Sequence, residues 1–379
     1  MKTARIAAST GFALFSMFFG SGNLVFPILV GQESQGHLLL AGMGIILTGV
    51  IIPFLGVLGM MLYQGNLQEF FSCFGKRGTF LFSLLALALM GPFGVLARCL
   101  TVAHGALVLV VPNASLELTS LTLCAAVYIL SVNRNKIVTI LGTYLTPLLL
   151  ASIAIITYFA VSNTAIPVAA DAGEWKALKN GFFQGYQTMD LLASFFFSGF
   201  VINHLYHHFP EGADKGPLLS VFFKSALIGA AILSTVYGAL VLLGWMYAPL
   251  LVNVPPQEML GTIAMNSLEV MAGPCVAFVI FACLTTAIVL TSLFADFLRH
   301  EVSGDRLGNH TSLLITLAIG FTVSTFDFAG IASFLGPMLE TIYPALIVLT
   351  VVNICLKLWG AQATHWPFTL TLVAKLCWI

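Results

Sequence analysis

The sequence predicts an all-α, polytopic membrane protein with about eleven transmembrane helices. Three observations carry that prediction. The first is composition: 59% of the 379 residues are hydrophobic and 8% are charged, where a soluble domain carries about 25% charged residues. A soluble chain of this length could not hide so much apolar surface, so the bilayer must be its solvent. The second is segment length, since many apolar runs approach or exceed the roughly 20 residues that cross a hydrocarbon core as a helix. The third is an asymmetry of positive charge between alternate loops.

The apolar segments fall at about 8–30, 38–63, 79–111, 116–132, 137–161, 182–203, 217–247, 262–298, 311–326, 329–356 and 365–379. Each is read as helical, because backbone polar groups in lipid must bond internally. A β-barrel would show short alternating segments instead. The first segment follows Lys2 and Arg5, as a signal-peptide core would. It contains Gly, Asn and Pro, and no small-residue cleavage site precedes a soluble domain, so it is read as a retained first span.

With the N-terminus inside, eleven of the fifteen Lys and Arg fall in cytoplasmic loops, and only Lys176 and Lys179 fall outside. Arg98 and Lys375 lie within spans. This is the positive-inside pattern of a multi-pass protein of the plasma (inner) membrane with a cytoplasmic N-terminus. Membrane lipid is therefore one expected partner. The 162–181 connection, with Asp171, Glu174, Trp175, Lys176 and Lys179, is expected outside, as a loop or a short surface helix. His204, His207 and His208 fall in one expected loop, either as a metal cluster or as a solvated cytoplasmic connection. The seven Cys form no CxxC pair and are read as small buried hydrophobes.

Segments three and eight carry a faint echo of each other. Gly91-Pro92 precedes Cys99-Leu100-Thr101-Val102-Ala103, and Gly273-Pro274 precedes Cys283-Leu284-Thr285-Thr286-Ala287. Five spans separate the copies, an odd number, which would give them opposite orientations, as in an inverted repeat. Compositional similarity alone is the alternative.

Three places put polar groups or helix breakers at membrane depth. In the first span, Gly20-Ser21-Gly22-Asn23 precedes Pro27. Gly and Pro cost a helix interior about 1 and 3 kcal/mol. Unwinding would free carbonyls for a cation, and amides at the start of a second half-helix for a carboxylate. A close-packing seam is the plainer reading. In span six, Thr188-Met189-Asp190 brings in a carboxylate, which must pair, face water or be protonated. Its partner could be a cation, a substrate ammonium or Arg98; it could also sit at an aqueous helix end. In span eight, Thr285 and Thr286 either bond back to the preceding turn or supply oxygen ligands to a hard cation. Arg98 itself either pairs with Asp190 or ties to backbone carbonyls. The formal net charge is zero, and nothing points to nucleic acid. No nucleophile–base set, P-loop, HExxH or GxSxG pattern is present, so an enzyme reading has no residues to carry it.

These residues resemble the branched-chain amino acid:cation symporters. The resemblance runs through Phe18-Phe19-Gly20-Ser21-Gly22-Asn23-Leu24-Val25-Phe26-Pro27, Gly91-Pro92 with Arg98, and Gly185-Tyr186-Gln187-Thr188-Met189-Asp190. It continues through Leu284 to Thr291 and Tyr343-Pro344, in order along nearly the whole chain. It implies membership of the amino acid–polyamine–cation superfamily, with a LeuT-like 5+5 inverted repeat and broken spans one and six. Within a single domain, repeat one would cover about 8–161, repeat two about 182–356, and an extra helix about 365–379.

The resemblance implies uptake of leucine, isoleucine and valine driven by sodium or protons, with no other cofactor. Sodium would meet the carbonyls of Ser16, Phe19 and Ala282 and the hydroxyls of Thr285 and Thr286. The amides of Ser21 and Gly22, beside Asn23, would take the substrate carboxylate. The carbonyl of Phe18 and carbonyls around Thr188, Met189 and Asp190 would take the ammonium. The chain departs from the family pattern at Ser21 (usually a small Ala), Ile28 (often a second Pro) and Ala97 (commonly Pro), and it shows eleven apolar segments where the family has twelve spans. A proton-coupled carrier using Asp190, and a channel or receptor on the same fold, are the rival readings. The oligomeric state is not readable.

Overall fold

Gly, Pro and polar residues placed inside apolar runs decide where the helices stop. The computed structural model describes residues 2–34, 36–132, 134–163, 173–208, 215–268, 272–360 and 366–377, and every regular element among them is helical. The first span is α1 (Lys2–Phe18) and α2 (Ser21–Glu33), bent by 76° at the break between them. The second is α3 (Leu38–Ile46) and α4 (Ile52–Leu62), joined through a π-helical turn at Leu47–Ile51. A short α5 (Leu67–Phe70) leads to α6 (Gly75–Met90) and α7 (Val95–Val108). These two are separated by turns at Gly91-Pro92-Phe93-Gly94.

α8 (Leu116–Val132) and α9 (Arg134–Asn163) complete the first half of the chain. The second half holds α10 (Glu174–Gln187), α11 (Asp190–His208), α12 (Lys215–Met246), α13 (Met259–Leu268) and α14 (Ala272–Phe297). It ends with α15 (Asn309–Ser324), α16 (Asp327–Leu358) and α17 (Trp366–Cys377).

Each of the eleven apolar segments falls on helix, with three adjustments. The eighth segment falls on α13, described to Leu268, and on α14, described from Ala272 with Pro274 in its first turn; residues 269–271 lie outside the described set. A proline there loses no intrahelical bond. α10 begins at Glu174, so the surface segment expected before span six is already its first half; Asp171 lies outside the described residues. The three histidines lie at the end of α11 rather than in a loop, and the side chains of His204, His207 and His208 are outside the described set.

Among the described residues, five helices are long and apolar enough to cross a membrane, and the bent α1–α2 pair taken as one span makes a sixth; α8 and Pro147–Ser162 are shorter apolar helices. The exterior fits lipid: Leu39 and Trp359 are each 81% exposed. The protein is an integral, multi-pass membrane protein.

Two groups of helices frame the site. One joins α1 and α2 to α12, α3 to α10, and α4 to α11. Glycines set its closest approaches. A Cβ on Gly31 of α2 would strike the Val241 carbonyl of α12, and a Cβ on Gly244 of α12 would strike the Ile28 carbonyl of α2. Gly44 and Gly181 make the same reciprocal contact between α3 and α10. Such small-residue seams let helices approach where no hydrophobic force draws them together in lipid. The other group packs α7 against α14, with α8 and α15 alongside.

Candidate functional site

The first break lies at Phe19-Gly20, just before the position read from the sequence. α1 ends at Phe18, although the Phe19 amide still donates to the Phe15 carbonyl at 2.9 Å. Gly20 is extended, with φ −126° and ψ −167°. Ser21, Gly22 and Asn23 form the first turn of α2 and are all buried. The amides of Ser21 and Gly22 therefore stand at a helix N-terminus, where partial positive charge collects.

Asn23 closes the break from within. Its Oδ1 accepts from the Gly20 amide at 3.3 Å. Its Nδ2 donates to Asp190 Oδ2 at 2.7 Å and to the Tyr237 hydroxyl at 2.7 Å. The Tyr237 hydroxyl in turn donates to Asp190 Oδ2 at 3.2 Å. One side chain thus links the break of span one to span six and to α12.

The second break is Thr188-Met189, between α10 and α11. No glycine marks it. Met189 instead adopts φ +60°, a left-handed conformation that costs an ordinary residue about 1–2 kcal/mol. Its side chain is 1% exposed, so packing holds it there. The Thr188 hydroxyl donates to the Gly185 carbonyl at 2.9 Å. Asp190 opens α11 at 3% exposure and accepts hydrogen bonds from the neutral Asn23 and Tyr237 groups.

The two breaks and α14 meet. A Cβ placed on Gly22 would lie 3.5 Å from Thr188 Cα, and one on Gly20 would lie 3.3 Å from Thr286 Cγ2. The structure therefore brings Ser21, Gly22, Asn23, Thr188, Met189, Asp190 and Thr286 into one place. Thr285 and Thr286 bond back to the Ala282 carbonyl at 2.8 and 3.1 Å, the plainer of their two readings. That bond does not use up the hydroxyl oxygens. A hydroxyl donating its proton along its own helix still points lone pairs outward. Ser16 sits one turn before the break on α1 and is half-buried. Phe18 packs on Phe54 with ring centres 5.3 Å apart, and Phe19 stacks on Phe15 at 5.1 Å.

Arg98 does not pair with Asp190. Its Nη1 donates to the Gln187 main-chain carbonyl at 2.6 Å and its Nη2 to Gln187 Oε1 at 2.8 Å. The guanidinium lies 5.0 Å from the Phe26 ring centre and 5.6 Å from that of Phe328. The physical reason is local: the carbonyl end of α10 offers Arg98 a planar pair of acceptors, while Asp190 is taken up by Asn23 and Tyr237. Gln187 and Tyr237 were not singled out by the sequence. Tyr237 lies in the long apolar run of α12, where nothing distinguishes it from a lipid-facing or core aromatic.

The echoing segments of spans three and eight meet across the α7–α14 interface. Cys99 and Cys283 are both buried there and line one small cavity. Cys99 Sγ also lies 3.4 Å from Ser21 Oγ. Among the described residues, no cluster of three or more His, Cys, Asp or Glu could hold a metal ion.

Two broken spans meeting at a buried polar centre give this helical membrane protein a LeuT-like fold. The fold is similar to that of Mhp1, a nucleobase-cation-symport-1 family transporter, in a closed conformation with bromovinylhydantoin bound: TM-score 0.61, 14% identity, 91% of this chain and 77% of that one covered. It is also similar to a mutant manganese transporter of Eremococcus coleocola, with TM-score 0.57, 14% identity, and 98% and 84% covered. Residues 4–378 match the family described as branched-chain amino acid transport protein, and the chain belongs to that family. Its relatives are permeases and carriers, not enzymes. The branched-chain amino acid permease BrnQ of Corynebacterium glutamicum is 29% identical, with 91% of this chain and 80% of the relative covered. The branched-chain amino acid permease BraB of Bacillus subtilis is 28% identical, with 90% and 78% covered.

Proposed function

We propose that this chain is a secondary active symporter that imports leucine, isoleucine or valine by alternating access, in the plasma (inner) membrane with its N-terminus inside. The observation that carries the proposal is the meeting of both span breaks through Asn23 and Asp190, beside Thr286. The amides of Ser21 and Gly22 are disposed to hold a substrate carboxylate. The carbonyls around Thr188 to Asp190, with that of Phe18, suit its ammonium. Family membership and the names of the relatives support the branched-chain substrate class.

Sodium is the coupling ion favoured by the Thr285–Thr286 pair, whose lone pairs are free of their own helix, beside the break in span one. The carbonyls of Ser16 and Phe19 would complete that site. The Ala282 carbonyl already accepts both hydroxyls and is the weakest of the expected ligands. Transport would rock α1–α4 with α10–α12 against α7, α8, α14 and α15, along the division between the two packed groups. Each elementary charge crossing 100 mV adds about 2.3 kcal/mol of drive.

A second reading rests on Asp190. A buried carboxylate met by neutral donors can carry the coupling proton instead. Labelled leucine, isoleucine and valine uptake into a strain lacking its own carriers tests both. Sodium coupling requires uptake that collapses without sodium. Proton coupling requires uptake in sodium-free buffer that follows an inward pH gradient and is lost in Asp190→Asn. Absence of saturable uptake, with no counterflow of labelled leucine in proteoliposomes, would sink the transport reading.

A further inference from the structure

Arg98 is the one fully buried arginine among the described residues, and the proposed substrate and ion contacts do not use it. It stands on α7, in the helix group that includes α14. Everything its guanidinium touches belongs to other elements. Its two Nη atoms form a fork on Gln187, the last residue of α10. Phe26 of α2 and Phe328 of α16, whose ring centres are 5.6 Å apart, lie together on one side of it. Gln187 is itself confined: a Cβ on Gly336 of α16 would come within 2.8 Å of its Nε2.

We infer that Arg98 is the latch that holds the outer side of the transporter closed, and that it positions the span-six break by fixing the carbonyl end of α10. The inference rests on the alternating-access reading above. In that reading α2 and α10 are the outer halves of spans one and six, and they move against α7. The Arg98 fork crosses that moving boundary. Opening the outer side must separate the guanidinium from Gln187 and Phe26 together. A guanidinium at a helix C-terminus also meets the negative end of the helix dipole, so the latch is electrostatically matched to α10. Lysine cannot replace it, because an ammonium has no planar fork to span both Gln187 acceptors.

The test reads access rather than uptake. Val102, one turn beyond Arg98 on α7, is buried at 2% and lines a small cavity with Leu24 and Val25 of α2. A Val102→Cys reporter in a chain with its native cysteines replaced is labelled from outside with a membrane-impermeant thiol reagent. Arg98→Lys is expected to speed labelling at least about fivefold, the lower end of typical conformational coupling. Gln187→Glu adds charge to the fork and is expected to slow labelling. Opposite shifts from the two variants are a signature that loss of folding cannot produce. Unchanged rates, or shifts in the same direction, would overturn the latch. The labelling needs no knowledge of the substrate, so it stands or falls separately from leucine uptake.

Discussion

Asn23 Nδ2 lies 2.7 Å from Asp190 Oδ2, so a first-span amide meets a sixth-span carboxylate across 167 residues of chain. The same amide group also serves Tyr237, and the other end of the side chain caps Gly20. The two breaks are therefore not independent features.

Asn23→Ala removes three of these bonds at once. The Gly20 amide and Asp190 each lose a buried partner, and each unsatisfied group costs about 1–3 kcal/mol. Leucine uptake at matched membrane abundance should fall by more than about tenfold, the rate equivalent of 1.4 kcal/mol. Tyr237→Phe deletes one donor to Asp190 and leaves Asn23 in place, so its loss should be smaller. A double variant no worse than Asn23→Ala is expected, because residues in one hydrogen-bond network are not additive. Additive losses would show that the three groups do not act as a unit.

Thr285→Ala and Thr286→Ala separate the two coupling schemes. Thr286 is the nearer to the break, through Gly20. Its loss should raise the sodium concentration for half-maximal uptake the more of the two, by about tenfold for 1.4 kcal/mol. Leucine KM at saturating sodium should move less. If the double variant keeps its sodium dependence unchanged, the cation site assigned to α14 is wrong.

Much of this site could be read from the sequence, because polar residues in an apolar run are conspicuous. Asn23, Asp190 and the Thr285–Thr286 pair stand out for that reason, and Gly20 marks the first break. What escaped was decided by tertiary contact. The break at Met189 has no glycine, since burial of the side chain holds a strained φ that local preference would refuse. Tyr237 is an aromatic among aliphatics until Asn23 and Asp190 are brought to it. Arg98 invited a carboxylate partner, yet a helix-end carbonyl and a side-chain amide oxygen take its two Nη groups instead.

Gly31→Ala and Gly20→Ala should fail in different ways. At Gly31 the new methyl would strike the Val241 carbonyl, a backbone atom that cannot swing aside. The α2–α12 seam must open, so Gly31→Ala, and likewise Gly244→Ala, should lower the thermal unfolding midpoint in detergent. At Gly20 the nearest atom is the Thr286 methyl at 3.3 Å, and the backbone φ of −126° suits alanine. Gly20→Ala should leave the unfolding midpoint near that of the native chain and alter sodium dependence instead. Equal destabilisation by all three would show that the break is only a packing seam.

Glu258 gives a pH dependence outside the spans. It precedes α13, in the turn Pro256–Glu258, and its neighbour Gln257 donates to Asp327 Oδ1 at 2.9 Å. Burial, and then the Asp327 charge, push the Glu258 carboxyl above its ordinary value of 4.5. A raised acid binds its proton more tightly in the folded state than in the unfolded one. The stability that this contributes is full below the unfolded value and is lost as pH rises through the folded one. At neutral pH the ionised group therefore weighs against the fold. Glu258→Gln keeps the shape and removes the charge, so it should raise the unfolding midpoint at pH 7. The gain should shrink as pH falls and vanish below about 4. A gain that persists unchanged into acid would mean that the effect is packing and not charge.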